Sequence, residues 1–191
     1  MPFTIAVLVL AVGASWLRGG RLRNVAYAEL HASWLLFAGV ALQVGVDLAA
    51  SRQLLPDAGV SGWTLLLLSQ LLVVAFLVRN RRLPGTWIVA TGLLLNATVM
   101  AANRAMPVDP AAIAALGLEG ATVAPGKHTL LTADTYLPWL ADIIPVPWLR
   151  SILSVGDLVL AVGLVPMTHA VMTGAPPSTT SDGEALPARE G

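Results

Sequence analysis

Apolar stretches of near-spanning length restrict the fold of this chain more than any other feature. A helix that crosses a bilayer needs about 20 mostly apolar residues. Residues 62–78, 86–103 and 154–172 reach or approach that length. Residues 25–50 exceed it, and their apolar part begins near Ala32. Residues 2–17 are shorter and are expected to span where the bilayer is locally thin. The expectation is an all-α, polytopic membrane helix bundle with about five transmembrane helices. Composition agrees: 56% of residues are apolar and 12% charged, against about 25% charged in a soluble domain.

Lys plus Arg and Asp plus Glu are both 11, so no basic field exists to attract nucleic acid, and none is expected as a partner. Without cysteine there is no disulfide, thiolate nucleophile or zinc–thiolate site. One lysine against ten arginines, with abundant alanine, hints at a GC-rich bacterial genome. Residues 1–172 read as a single bundle domain, with a long segment 104–153 between the fourth and fifth helices. Residues 173–191 are rich in Pro, Ser, Thr, Gly and charge and are expected to be a disordered tail.

A signal peptide is the rival reading of the first stretch. It needs a positive n-region, which Met1 to Ile5 lacks, so a retained helix is favoured. Arginines then set the orientation. Arg18, Arg21 and Arg23 follow the first helix, and Arg79, Arg81 and Arg82 follow the third; these short loops share one side. Arg52, Arg104, Lys127 and Arg150 are spread thinly over the other. Cytoplasmic loops collect positive charge, so the N-terminus is expected outside and the tail cytoplasmic, in a bacterial cytoplasmic (inner) membrane. Trp16, Tyr27, Trp34 and Trp87 suit one interface, and Trp63, Tyr136, Trp139 and Trp148 the other.

The outer segment is too long for a plain connection. Asp109-Pro110 opens a short helix over residues 111–118, with Asp109 as N-cap, Pro110 in its first turn and Gly120 beyond its end. Residues 130–146 are apolar but broken by Asp134, Pro138, Asp142 and Pro145, which suits a re-entrant or interfacial stretch and not a span.

Polar groups at membrane depth are costly and each asks for a reason. Gln43, Asp47, Gln70, Asn96, Asn103 and Asp157 all fall in the outer half or at its rim. The outer segment adds His128, Asp134 and Asp142. Asp47, Gln70, Asn96, Asn103, His128, Asp134, Asp142 and Asp157 are therefore the candidate lining of an outward polar pocket. Each also has a plainer role. Gln43, Gln70 and Asn96 could hydrogen-bond between helices. Asp47 could lie among head groups, and Asp157 could close a capping box with Ser154. Asp134 and Asp142 could belong to turns, and His128 to the surface. Glu29 and His31 share no helical face.

Walker-type phosphate loops, dinucleotide fingerprints, His-Glu-x-x-His helices and Gly-x-Ser-x-Gly elbows are all missing, so no cofactor or metal is expected. Five helices do not divide into two equal inverted halves, which weighs against repeat-built transporters.

Several short motifs recur together: Gly19-Gly20-Arg21-Leu22, Asn103 with Met106-Pro107-Val108, His128-Thr129, Asp134-Thr135 with Leu137-Pro138, Leu140 to Asp142 with Ile144-Pro145, and Ser154, Gly156 and Asp157. In these the chain resembles a family of small bacterial multi-pass membrane proteins known only as a domain of unknown function, over roughly Gly19 to Leu164. The resemblance implies the fold and where to look, not an activity. The chain departs from the pattern near Arg104 and Ala105, and at Ala141, where glycines are expected.

The favoured expectation is a non-enzymatic membrane protein whose outer pocket holds a small ligand, ion, lipid head group or partner protein, transport being one version. Its partners are the bilayer and a second copy or another membrane protein, with Gly39, Gly45, Gly92 and Gly163 offering close helix contacts. The alternative is a membrane-embedded enzyme acting on a lipid-linked or outer-leaflet substrate. In it His128 is the general base, and Asp142 and Asp157 position substrate or a divalent cation.

Overall fold

The computed structural model describes residues 2–52, 54, 60–118 and 127–174. Five long helices form a bundle: α1 (Pro2–Leu17), α2 (Ser33–Ser51), α3 (Val60–Arg79), α4 (Thr86–Asn103) and, after a cap described below, a last helix over Val155–Thr173. Among the described residues four of these, all but α1, are long and apolar enough to cross a membrane; α1 has 16 residues. Leu10, Phe37 and Val162, each more than 60% exposed, are typical of the outward faces. Such a surface suits lipid as solvent and would aggregate in water.

The segment joining α4 to the last helix folds as a cap over one end of the bundle. In chain order it holds β1 (Met106–Val108), α5 (Pro110–Ala115), β2 (His128–Leu130), β3 (Ile144–Val146) and β4 (Ser151–Leu153), so the last long helix is α6. β1 pairs in parallel with β2, and β3 pairs antiparallel with β4. A further bridge ties Val108 to Asp142, so β1 lies between β2 and the chain at Asp142. The stretch expected to be re-entrant or interfacial starts at the last residue of β2 and holds a turn of 3-10 helix over Pro138–Leu140, and β3. Asp109 caps α5, its Oδ1 accepting from the Ala111 amide at 2.9 Å. α5 stops at Ala115, short of the expected residue 118, because Gly117 turns the chain at φ +64°. Gly120 lies outside the described residues, as do residues 175–191 of the tail.

The helices pack as a row: α2 on α3, α3 on α4, α4 on α6, and α6 on α1. Glycine makes the α4–α6 seam close. A Cβ on Gly92 would strike the Gly156 carbonyl, and one on Gly163 would strike the Val89 amide. Gly39 meets the Ser69 carbonyl of α3 in the same way, whereas Gly45 faces open space. Three of the four glycines considered for association between copies thus serve packing within this chain.

A second expected boundary is also wrong. Residues 25–32 do not extend α2, which begins at Ser33 after Ala32 in a left-handed conformation. The preceding chain is a 3-10 turn over Leu22–Tyr27. Its polar groups find partners across the bundle. Asn24 Nδ2 donates to the Met172 carbonyl, and the His31 amide and carbonyl both bond the Asn80 side chain. Once backbone groups are satisfied this way, helix has no advantage there.

Candidate functional site

Under the cap lies a cavity of about 400 Å³. All five long helices reach it: Phe3 and Thr4 from α1, Gln43 from α2, Gln70 from α3, Asn96 and Met100 from α4, and Asp157 from α6. The cap adds Lys127, His128, Asp142 and Arg150. β1 accounts for two of these, since Met106 stands opposite His128 in the ladder and Val108 opposite Asp142. Backbone bonds hold the register: Asp142 N donates to the Pro107 carbonyl and Asp109 N to the Asp142 carbonyl, both at 2.9 Å.

The α6 wall is fully hydrogen-bonded. Ser154 and Asp157 form a complete capping box, Asp157 N donating to Ser154 Oγ at 3.0 Å and Ser154 N to Asp157 Oδ2 at 3.1 Å. Asp replaces the usual Glu or Gln, and its shorter arm leaves Oδ1 facing α4. There Asn96 Nδ2 donates to Oδ1 at 2.9 Å, while Ser154 Oγ donates to Asn96 Oδ1 at 2.9 Å. Asp157 is thus both cap and interhelix anchor, and the negative carboxylate suits the positive end of the helix dipole.

Two other candidates act as fasteners. Asp47 accepts from Lys127 Nζ at 2.6 Å, tying α2 to the cap. Asn103 bonds the backbone of Tyr136 in both directions at 2.9 Å and also the Val99 carbonyl, pinning the cap loop to the end of α4. Asp134 is exposed on that loop and does not line the cavity.

Gln70, His128 and Asp142 differ from the rest. Gln70 Nε2 makes a weak contact with Met100 Sδ at 3.3 Å, while its Oε1 is buried without a partner. His128 Nδ1 is likewise buried and unpartnered, 3.9 Å from Asp142 Oδ2. Burial lowers the imidazole to a pKa of about 4, aided by the adjacent Lys127 charge. Burial raises the Asp142 carboxyl to about 8, aided by the Asp157 carboxylate. At neutral pH the pair is a neutral imidazole beside a protonated acid. At 3.9 Å it is neither an ion pair nor a hydrogen bond. Among the described residues, no three His, Asp or Glu side chains come together as a set of metal ligands.

Of the eight candidate residues, the fold brings Gln70, Asn96, His128, Asp142 and Asp157 to the cavity and sets Asp47, Asn103 and Asp134 outside its lining. Sequence reasoning used Lys127 and Arg150 only to orient the chain and missed both as lining. The signal for Lys127 was available: it is the one lysine in the chain and stands next to His128.

No solved structure matches the chain. An uncharacterized protein of Thermotoga maritima is 36% identical over 101 residues, which is 51% of this chain; the match spans 58% of that relative's own length. The pattern that defines the "Family of unknown function (DUF5317)" matches residues 27–168, and the chain belongs to that family.

Proposed function

We propose that this chain is a multi-pass protein of a bacterial cytoplasmic membrane. In this reading the cap-end cavity opens to the outside and binds a small, uncharged polar ligand or head group without acting on it chemically. The carrying observation is the pair of buried, unpartnered atoms on the cavity wall, Gln70 Oε1 and His128 Nδ1. Leaving a buried polar atom unpaired costs about 1–3 kcal/mol, which a bound molecule recovers. Gln70 Oε1 calls for a donor on the ligand, and the protonated Asp142 for an acceptor. Lys127 is already paired with Asp47. A polyol or amide meets both demands; an anion without a proton would meet Arg150 and Asp142 but leave Gln70 Oε1 unpaired.

The orientation rests on arginine. Arg18, Arg21, Arg23, Arg79, Arg81 and Arg82 lie at the end away from the cap, which favours that end as cytoplasmic. The enzymatic reading is weaker on chemical grounds. A base that protonates near pH 4 takes up protons poorly at neutral pH, where an efficient general base titrates.

The test is thermal unfolding of the full chain in detergent micelles with neutral probes, inositol and glycerol, against charged probes, acetate and phosphate. The neutral probes should raise the midpoint of the wild type and have less effect on Gln70→Leu and His128→Phe. Equal shifts in wild type and variants, or greater stabilisation by the charged probes, would sink the proposal.

A further inference from the structure

A second cavity, of about 310 Å³, lies at the end of the bundle away from the cap. Its lining is almost wholly apolar. Leu8 and Val12 of α1 form one wall and Leu36 of α2 contributes to another, with Phe76 of α3 and Met167 and Val171 of α6 also facing it. It exists because α1 packs chiefly on α6 and α2 chiefly on α3, which leaves a crevice between the outer members of the row. Thr168 is the one lining residue among the described residues with a polar side chain, so the chemistry that fits is hydrocarbon.

The residues next to part of the lining carry the opposite chemistry. Leu22 lines the cavity and is flanked by Arg21 and Arg23; Leu83 lines it and follows Arg82. All three arginines are exposed, and among the described residues none forms an ion pair. The backbone that carries the first two is also held in place. Arg21 N donates to the Met172 carbonyl at 2.8 Å and Asn24 Nδ2 to the same oxygen at 2.9 Å, fixing the turn that carries Leu22 against the end of α6. An apolar slot whose lining residues adjoin exposed arginines matches one kind of molecule, with a hydrocarbon tail and an anionic head. We infer that this crevice is a binding site for an anionic phospholipid, one acyl chain lying between α1 and α2 and the phosphate meeting Arg21, Arg23 and Arg82. Guanidinium suits phosphate because its planar fork donates two parallel hydrogen bonds.

Native mass spectrometry of the full chain, released from detergent with equal amounts of phosphatidylglycerol and phosphatidylethanolamine of the same acyl chains, tests this. One phosphatidylglycerol adduct should be retained, in preference of about fivefold for each arginine engaged. Arg21→Gln with Arg23→Gln should cut the preference to the about fivefold that Arg82 alone supplies while an adduct persists, whereas Arg18→Gln, away from the lining, should leave it unchanged. Val12→Phe fills the slot from α1 and Leu36→Phe from α2; either should abolish the adduct. The two fillings guard against misfolding of one variant, which its unfolding midpoint would reveal. Equal retention of the two lipids by the wild type would overturn the inference. So would an adduct that survives both fillings. A dimer that either filling dissolves would do the same, because the crevice would then hold a second copy.

Discussion

The two ends of the bundle are made by the same five helices yet treat their buried polar groups differently. At the end away from the cap, Asn80 is 6% exposed and its amide is fully engaged: Nδ2 donates to the His31 and Phe76 carbonyls, and Oδ1 accepts from His31 N. Ser15, also buried, bonds the His169 ring at 3.1 Å, and Thr86 Oγ1 donates to the Asn80 carbonyl. At the cap end the α6 wall is equally well satisfied, but Gln70 Oε1 and His128 Nδ1 are not. Polar groups at one end therefore close the structure. At the other, a few are held in readiness by their closed neighbours. The cavities follow suit, apolar where Asn80, Ser15 and Thr86 are engaged and polar where Gln70 and His128 are left open.

The sharpest way to break this comparison is to delete one polar side chain from each end. Asn80→Leu removes the side-chain partner of both the part-buried His31 amide and the His31 carbonyl, while the Phe76 carbonyl keeps the Asn80 backbone N–H. It should cost about 3 kcal/mol or prevent the protein from accumulating. Gln70→Leu should behave in the opposite way. Unfolding midpoints in micelles check both, and similar losses from the two would erase the distinction between the ends.

Acidity separates the ends next, through His128 and Asp142. His128 protonates near pH 4 when folded and near 6.5 in its ordinary state. Between those values the unfolded chain binds more protons and stability rises with pH. Asp142 acts in the other sense: it keeps its proton to about pH 8 when folded but ordinarily loses it near 3.8, so stability falls with pH across that window. The two slopes offset each other between about pH 4 and 6.5. Above that only Asp142 contributes, and stability should fall by about 2 kcal/mol on the way to pH 8. Asp142→Asn should remove this fall and uncover the rise between pH 4 and 6.5. A wild-type profile that is level or rising from pH 6.5 to 8 would contradict the buried, protonated Asp142.

How much of this was legible in the sequence depends on how local each feature is. The apolar runs of α3, α4 and α6, the Asp109 cap and the Ser154–Asp157 box need only their own neighbours, and they read correctly. The start of α2 did not, because hydrogen bonds from Asn80 and Met172 decide it, and these come from other helices. Strands of three residues are too short to show alternation, so β1 to β4 left no pattern. The meeting of Asn96 with Asp157 depends on how α4 crosses α6. A trace of that was present: Gly85 and Gly92 are seven apart, as are Gly156 and Gly163, and together they line the seam. Pairing the helices from those spacings would have predicted the contact.

Gln70→Leu should be neutral or stabilise the unliganded protein by up to about 1 kcal/mol, since it removes an unpaired acceptor and only a weak bond to Met100. It should also blunt the response to inositol. A loss beyond about 1 kcal/mol would place Gln70 with Asn80 as a structural group and take the main support from the binding proposal.

The smallest effect concerns backbone strain, which is also unevenly shared. Four described residues other than glycine have positive φ; Ala32 is at the far end, while Arg104, Leu137 and Arg150 belong to the cap end. Arg104, at φ +57°, stands where the family pattern leads one to expect glycine close by. A left-handed residue with a side chain costs about 1–2 kcal/mol, and glycine returns about 0.4–1 kcal/mol of that through the freer unfolded chain. Arg104→Gly should therefore gain about 0.5 kcal/mol net, a small rise in midpoint. Arg104 does not line the cavity, so the response to inositol should stay as in the wild type. Arg150, at φ +48°, does line it. Arg150→Gly should give a similar gain in midpoint but alter the inositol response. If both substitutions change stability and binding alike, strain at this end is a by-product of tight turns. If they divide as stated, the left-handed backbone at Arg150 is retained because it carries a side chain to the cavity.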